Sequence, residues 1–154
     1  MQSDVVGQAT DVDVLVRFRS LDTVNSWTPH IIFVRASGTS AATANAYGFM
    51  FGRLQTPNLR LATYVNGTFT AIASANPGGA DTTDNYMARV RVQGSSLQAR
   101  FWTEGTAEPT TWDIDRTDTV HTAAGAVAIG ASGGTQSQYH AIAVATDGSA
   151  AVFP

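Results

Sequence analysis

Residues 86–102 read Tyr86-Met-Ala-Arg-Val-Arg-Val-Gln-Gly94-Ser95-Ser-Leu-Gln-Ala-Arg-Phe-Trp102. Side chains along a strand alternate between two faces, and Gly94-Ser95 supplies a two-residue hairpin turn. Folded there, the stretch pairs Val92 with Leu97, Val90 with Ala99 and Ala88 with Phe101, an unbroken apolar face. The opposite face then carries Arg91 with Gln98, Arg89 with Arg100 and Met87 with Trp102. A slip of one residue would mix the two sets, so the turn and the pattern select one register. The stretch is a half-buried antiparallel hairpin.

The same period runs outward from it. Asn66-Gly67 favours a turn with positive φ at both central residues. It pairs Val65 with Thr68, Tyr64 with Phe69, Ala62 with Ala71 and Leu61 with Ile72. Leu59, Leu61, Val65 and Ile72 share one side, and the Tyr64–Phe69 pair lies on the other. Residues 11–19 place Val12, Val14, Val16 and Phe18 on one face, with Asp11, Asp13, Leu15, Arg17 and Arg19 opposite. Further strands are expected at 30–35, at 47–51 with Tyr47, Phe49 and Phe51 on one side, at 125–132 through Val127 and Ile129, and at 138–146 with Ile142 and Val144 inward. Residues 37–45, 76–79 and 132–135 read as loops and turns. No long segment shows a 3.6-residue period. Many short strands with Gly and Pro punctuation predict an all-β, two-sheet antiparallel jelly-roll sandwich. The expected organisation is a lead-in over 1–10, the sandwich over 11–146, and a tail or the start of a linker over 147–154.

Composition narrows the function classes. Of 154 residues, 44% are hydrophobic and 14% charged, against about 25% charged in an average domain. A net charge of −3 gives no basic footprint for nucleic acid, and all nine cationic residues are Arg. With no cysteine there is no disulfide framework, thiolate metal site or thiol nucleophile. Met1-Gln2-Ser3-Asp4 lacks the basic and apolar regions of a signal peptide, and no apolar run is long enough for a membrane helix, so no membrane partner is expected.

After Trp102 the chain continues Thr-Glu-Gly105-Thr-Ala-Glu108-Pro109-Thr-Thr-Trp112. This resembles the signature of concanavalin-A-like and laminin-G-like jelly rolls in bacterial and phage proteins, where a strand ending in Arg-x-Trp precedes Gly-x-x-Glu-Pro-x-x-Trp and then a Gly-rich strand. Gly105, Glu108, Pro109 and Trp112 match, and residues 124–130 are similar to the later strand. In outline the resemblance covers 11–146. It implies a jelly roll that holds glycans on its concave sheet, in a phage virion or tail protein or a bacterial surface protein, at the virion or extracellular surface. Relatives carry an aromatic-Asp pair before the last strand, where the Asp can serve calcium. Here the stretch is Tyr139-His140-Ala141, so no cofactor is expected: calcium stays possible but has no clear motif behind it.

The candidate ligand face is Arg89, Arg91, Gln98, Arg100 and Trp102, with Arg35, Tyr47 and Arg53 as neighbours, because planar hydrogen-bonding groups beside an aromatic ring suit a sugar. A solvent face or subunit contact fits the same residues. Arg89 and Arg100 opposite each other would repel, so a carboxylate is expected between them, Glu108 on Arg100, with Glu108, Pro109 and Trp112 pinning the corner. Asp113-x-Asp115-x-x-Asp118 has the spacing of the Glu-x-Asp-x-x-Glu strand of laminarinase-like glucanases. A retaining mechanism needs carboxyl groups about 5–5.5 Å apart, whereas Cα atoms four or five residues apart on a strand are separated by about 13–17 Å. The run therefore reads as a solvated acidic turn. There is no Gly-x-Ser-x-Gly, and His30, His121 and His140 are scattered. Three readings stand, in order: a non-catalytic glycan-binding module, a decoration or fibre module packing on virion proteins or its own copies, and a glycoside hydrolase of laminarinase type.

Overall fold

The computed structural model describes residues 6–20, 30–52, 57–77, 85–131 and 137–154. Arg53, Gly78, Gly79 and the loop read at 132–135 lie outside them. Eleven strands follow in order: β1 (Val6–Ala9), β2 (Val12–Ser20), β3 (His30–Ser37), β4 (Asn45–Phe51), β5 (Leu59–Val65), β6 (Thr68–Ala75), β7 (Tyr86–Gln93), β8 (Ser96–Thr103), β9 (Ile114–Thr117), β10 (Gly125–Ala131) and β11 (Ser137–Ala145). They form a six-stranded sheet, β1-β10-β3-β4-β5-β6, and a five-stranded sheet, β11-β2-β7-β8-β9. Every pairing is antiparallel. The chain is an all-β jelly-roll sandwich.

The β7–β8 hairpin has the register its alternation dictates, from Tyr86 opposite Thr103 to Gln93 opposite Ser96. Positive φ at Gly94 but not Ser95 is the pattern of a type II′ turn. In the β5–β6 hairpin, Asn66 and Gly67 both have positive φ, 47° and 75°. Val65–Thr68, Tyr64–Phe69 and Ala62–Ala71 pair as the sequence implies, but Leu61 meets Ala73 instead of Ile72. A register shift between Leu61 and Ala62 inserts one extra residue in β6, which no local pattern announces.

Inward-facing side chains of the two sheets meet in one core. Val12, Val14, Val16 and Phe18 from β2 join Ala88, Val90 and Val92 from β7, Leu97, Ala99 and Phe101 from β8, and Tyr47, Phe49, Phe51, Leu59 and Leu61 from the other sheet. Phe18 stacks on Phe101 at 6.0 Å. Each buried Val, Leu or Phe side chain contributes on the order of 1.5–3 kcal/mol by leaving water. Val127 is buried and Val144 packs against the core; Ile142 is 37% exposed because β11 is an edge strand.

Three segments differ from the sequence reading. The 1–10 lead-in contains β1, paired to β10. The acidic 113–118 turn contains β9, where Ile114 fills the core and Gln98 opposes Asp115. The 147–154 tail folds back on the five-stranded sheet, where Ala151 is 2% exposed. Both missed strands are four-residue edges, too short for alternation to register.

Charge divides sharply between the layers. Strands β1, β3, β4, β5, β6 and β10 hold no Asp or Glu, and their only Arg residues are Arg35 and Arg60. The five-stranded sheet carries Asp13, Arg17, Arg19, Arg89, Arg91, Arg100, Asp115 and Arg116.

Candidate functional site

On the outer face of the five-stranded sheet, β7 and β8 bring Arg89, Arg91, Gln98, Arg100 and Trp102 together. Two carboxylates lie among the three cations. Glu108 accepts from Arg89 Nε at 2.6 Å and Nη2 at 3.2 Å, and from Arg100 Nε at 2.7 Å. Asp13 accepts from Arg89 Nη1, from Arg91 Nε at 2.7 Å and from the Ala151 N–H at 3.0 Å. Arg89 Nη1 also donates to Ala151 O, and Arg100 Nη1 to Pro109 O. These bonds engage four of the five N–H groups that a guanidinium offers. Burial alone would lower the Arg89 pKa, but its bonds to Glu108 and Asp13 hold it above the ordinary value.

The Glu108–Trp112 loop closes this face. The Arg100 guanidinium sits 4.1 Å from the Trp112 ring centroid and that of Arg91 5.4 Å, within cation–π range. Most arginine donors are thus spent inside the fold, while Trp102 and Gln98 remain half-buried. Asp13, the buried acid at the centre, was missing from the sequence-derived set. Its position on the polar side of β2 was legible; its place opposite Arg91 needs the β2–β7 pairing.

Arg35 and Tyr47 are not neighbours of this face. They belong to the other sheet and point away from solvent, because Tyr47 shares its side with Phe49 and Phe51 and is wholly buried. Arg35 has φ 50° at a register shift in β3. It donates to the carbonyls of Thr10, His121 and Gly94 at 2.6–2.7 Å, tying three loops at one end of the sandwich. Tyr47 donates its hydroxyl to Asp118 at 2.7 Å and accepts from the His121 N–H at 3.0 Å.

Burial pushes the Tyr47 hydroxyl up to about 12 and raises Tyr64 and Tyr139 as well. A phenol whose folded pKa exceeds its unfolded value favours the fold while neutral. Its contribution is complete below the unfolded pKa near 10 and is lost as pH climbs towards 12. The expected result is a melting temperature that falls between pH 10 and 12, less steeply in Tyr47→Phe. A parallel fall in both proteins, measured by circular dichroism, would refute the assignment.

The acidic run is dispersed by its bonding. Asp113 accepts from the Phe101 N–H at 3.0 Å, with its carboxyl raised by burial. Asp118 accepts from Tyr47 and Val120, and Asp115 lies exposed on edge strand β9. At the position considered for calcium, Tyr139 turns towards the core and donates its hydroxyl to Gly130 O. Among the described residues no group of three His, Cys, Asp or Glu is placed to hold a metal ion.

A second surface lies outside the six-stranded sheet. Phe33, Tyr64 and Phe69, from β3, β5 and β6, form a stripe across the strands, with ring centroids 5.5 and 5.7 Å apart and edge-to-face packing. Gly48 makes the first contact achievable, since a Cβ there would stand 2.8 Å from Tyr64 Cε2 and 3.4 Å from Phe33 Cε1. Beside the stripe on the same face, Ile31, Met50 and Ala62 form a small buried cluster against which Phe33 and Tyr64 pack. Phe69, on the edge strand, is 45% exposed.

The backbone arrangement has well-covered parallels. The chain superposes on a carbohydrate-binding module, CBM66 from Bacillus subtilis, with a TM-score of 0.70 and 14% identity, covering 90% of this chain and 76% of that one. Sheep galectin-11 gives a TM-score of 0.59 at 10% identity, covering 94% and 95% of the two chains. CG-16, a homodimeric agglutinin from chicken liver, gives 0.57 at 13% identity, covering 94% of this chain and 100% of that one. The fold is the concanavalin-A-like jelly roll. No protein-family model matches the chain, and no curated protein sequence does.

Within this jelly roll the two outer faces have different chemistry. The five-stranded face is charged and covered by residues 104–112 and by the tail; the six-stranded face is uncharged along its aromatic stripe. The Tyr64–Phe69 pair was visible in the hairpin register. Phe33 was not, because reaching Tyr64 requires β3, β4 and β5 to be adjacent and β4 to carry glycine between them.

Proposed function

We propose that the chain is a non-catalytic glycan-binding module that presents the Phe33–Tyr64–Phe69 stripe to a sugar. The single observation that carries this is the half-exposed Phe69 ring, continued by Tyr64 and Phe33 across a sheet whose strands hold no Asp or Glu. Aromatic rings supply large apolar area at low conformational cost, and the tyrosine adds a polar tip. The fold shared with a carbohydrate-binding module and with lectins supports the reading. A second reading seats the sugar on the other outer face; the half-buried Trp102 and Gln98 favour it.

Titration of a polysaccharide panel by calorimetry separates them. Phe69→Ala is expected to weaken binding roughly tenfold, about 1.4 kcal/mol, with stability lowered by about 1 kcal/mol through the lost cross-strand pair with Tyr64. Trp102→Ala is expected to bind as the parent does. The reverse pattern would move the site to the five-stranded sheet.

A virion or bacterial-surface setting rests on the resemblance of residues 100–112 to jelly rolls of bacterial and phage proteins, which also fits a structural decoration or fibre role. Silence across the panel together with self-association in light scattering would favour that role. Sugar release that disappears in Asp113→Asn would favour hydrolysis.

A further inference from the structure

Resting on that reading, we infer that the six-stranded face takes an internal stretch of a linear, uncharged polysaccharide, laid across the strands, and not a chain end. The aromatic stripe runs from β3 to β6 with successive ring centroids 5.5 and 5.7 Å apart, so three rings lie in a row that exceeds any one sugar ring. It is open at one end, because Phe69 lies on the last strand and no described residue pairs with the far side of β6. At the other end the neighbour of Phe33 on β10 is Ala128, flanked by Ala126 and Gly130. Among the described residues these small side chains leave a low floor where a terminal pocket would need a wall.

The charge division points to the ligand's class. The side chains along this line are Phe69, Tyr64, Ala46, Gly48, Phe33 and Ala128, none of them ionisable except the tyrosine phenol, which burial keeps neutral. Arg60 stands one row away, opposite Met50 and Ser74. With no carboxylate in these strands and Arg60 set one row off, the line of rings itself gives an acidic polymer no charge partner. Ring stacking and apolar contact remain, and neither is screened by salt.

The test is calorimetry with cello-, xylo- and manno-oligosaccharides of increasing length, with their parent soluble polysaccharides and with polygalacturonate as an acidic polymer, at low and high sodium chloride. For the series that binds, affinity is expected to rise roughly tenfold or more between the disaccharide and the hexasaccharide, and to change by less than about twofold with salt. The length dependence is expected to flatten in Phe69→Ala and to persist in Trp102→Ala. A disaccharide binding as tightly as the hexasaccharide would overturn the internal-stretch assignment while leaving glycan binding intact. Preference for an acidic polysaccharide that fades with salt would overturn the uncharged class. No binding to any of these sugars would overturn this inference, and silence across the wider polysaccharide panel would take the glycan reading with it.

Discussion

Asp13→Ala is expected to cost the fold about 3–5 kcal/mol, the usual penalty for removing one partner of a buried ion pair. The loss exceeds that of a single contact because one carboxylate serves three donors. Arg89 Nη1 and Arg91 Nε lose their anion, and the Ala151 N–H loses its acceptor. Arg89 keeps Glu108 but stays buried with its Nη1 under-bonded, and the tail loses half of its anchor. Arg17→Ala breaks a bridge to Glu104 at 3.2 Å, whose partners are 39% and 34% exposed. An exposed pair of that kind contributes about 0–1 kcal/mol. Guanidinium denaturation of the two variants should therefore differ clearly in midpoint. Equal midpoints would mean that the Asp13 network adds nothing beyond a surface pair.

Gly125→Ala is expected to be similarly damaging, roughly 3 kcal/mol, at the upper end for forced overpacking. A Cβ at this position would come under 3.0 Å from Arg35 C, Arg35 Cα and Ala36 N. All three are backbone atoms of the strand that pairs with β10, so no side chain can swing aside. Arg35 itself is held at positive φ by bonds to Thr10, Gly94 and His121. Displacing β10 would loosen that whole end of the sandwich. Gly7, on edge strand β1, has open space around its missing Cβ; Gly7→Ala should change the midpoint little. A Gly125→Ala protein as stable as Gly7→Ala would show that β3 and β10 can separate without cost.

Local chemistry made much of the fold legible. The β7–β8 register follows from alternation and a glycine turn, and both signals lie within seventeen consecutive residues, 86–102. Asn66-Gly67 did the same for the start of β5–β6. The bulge beyond Ala62 was not legible, because one extra residue in a run of Ala, Ile, Ala and Ser changes no pattern. The site was harder for a related reason. Glu108 opposite two arginines could be anticipated from the hairpin alone, whereas Asp13 and Ala151 join the cluster through chain separations of 76 and 62 residues from Arg89. The placement of Tyr47 was available locally, since its alternation with Phe49 and Phe51 put it in the core. Arg35 was disguised by the register shift that turns it out of its strand's alternation.

Because Ala151 is fastened by its own main chain to the charged layer, anything joined after Pro154 departs from that side of the molecule, opposite the aromatic stripe. A C-terminal tether to a bead or sensor surface should therefore leave Phe69 facing the bulk liquid. Material coupled in this orientation should capture polymer as well as free protein does.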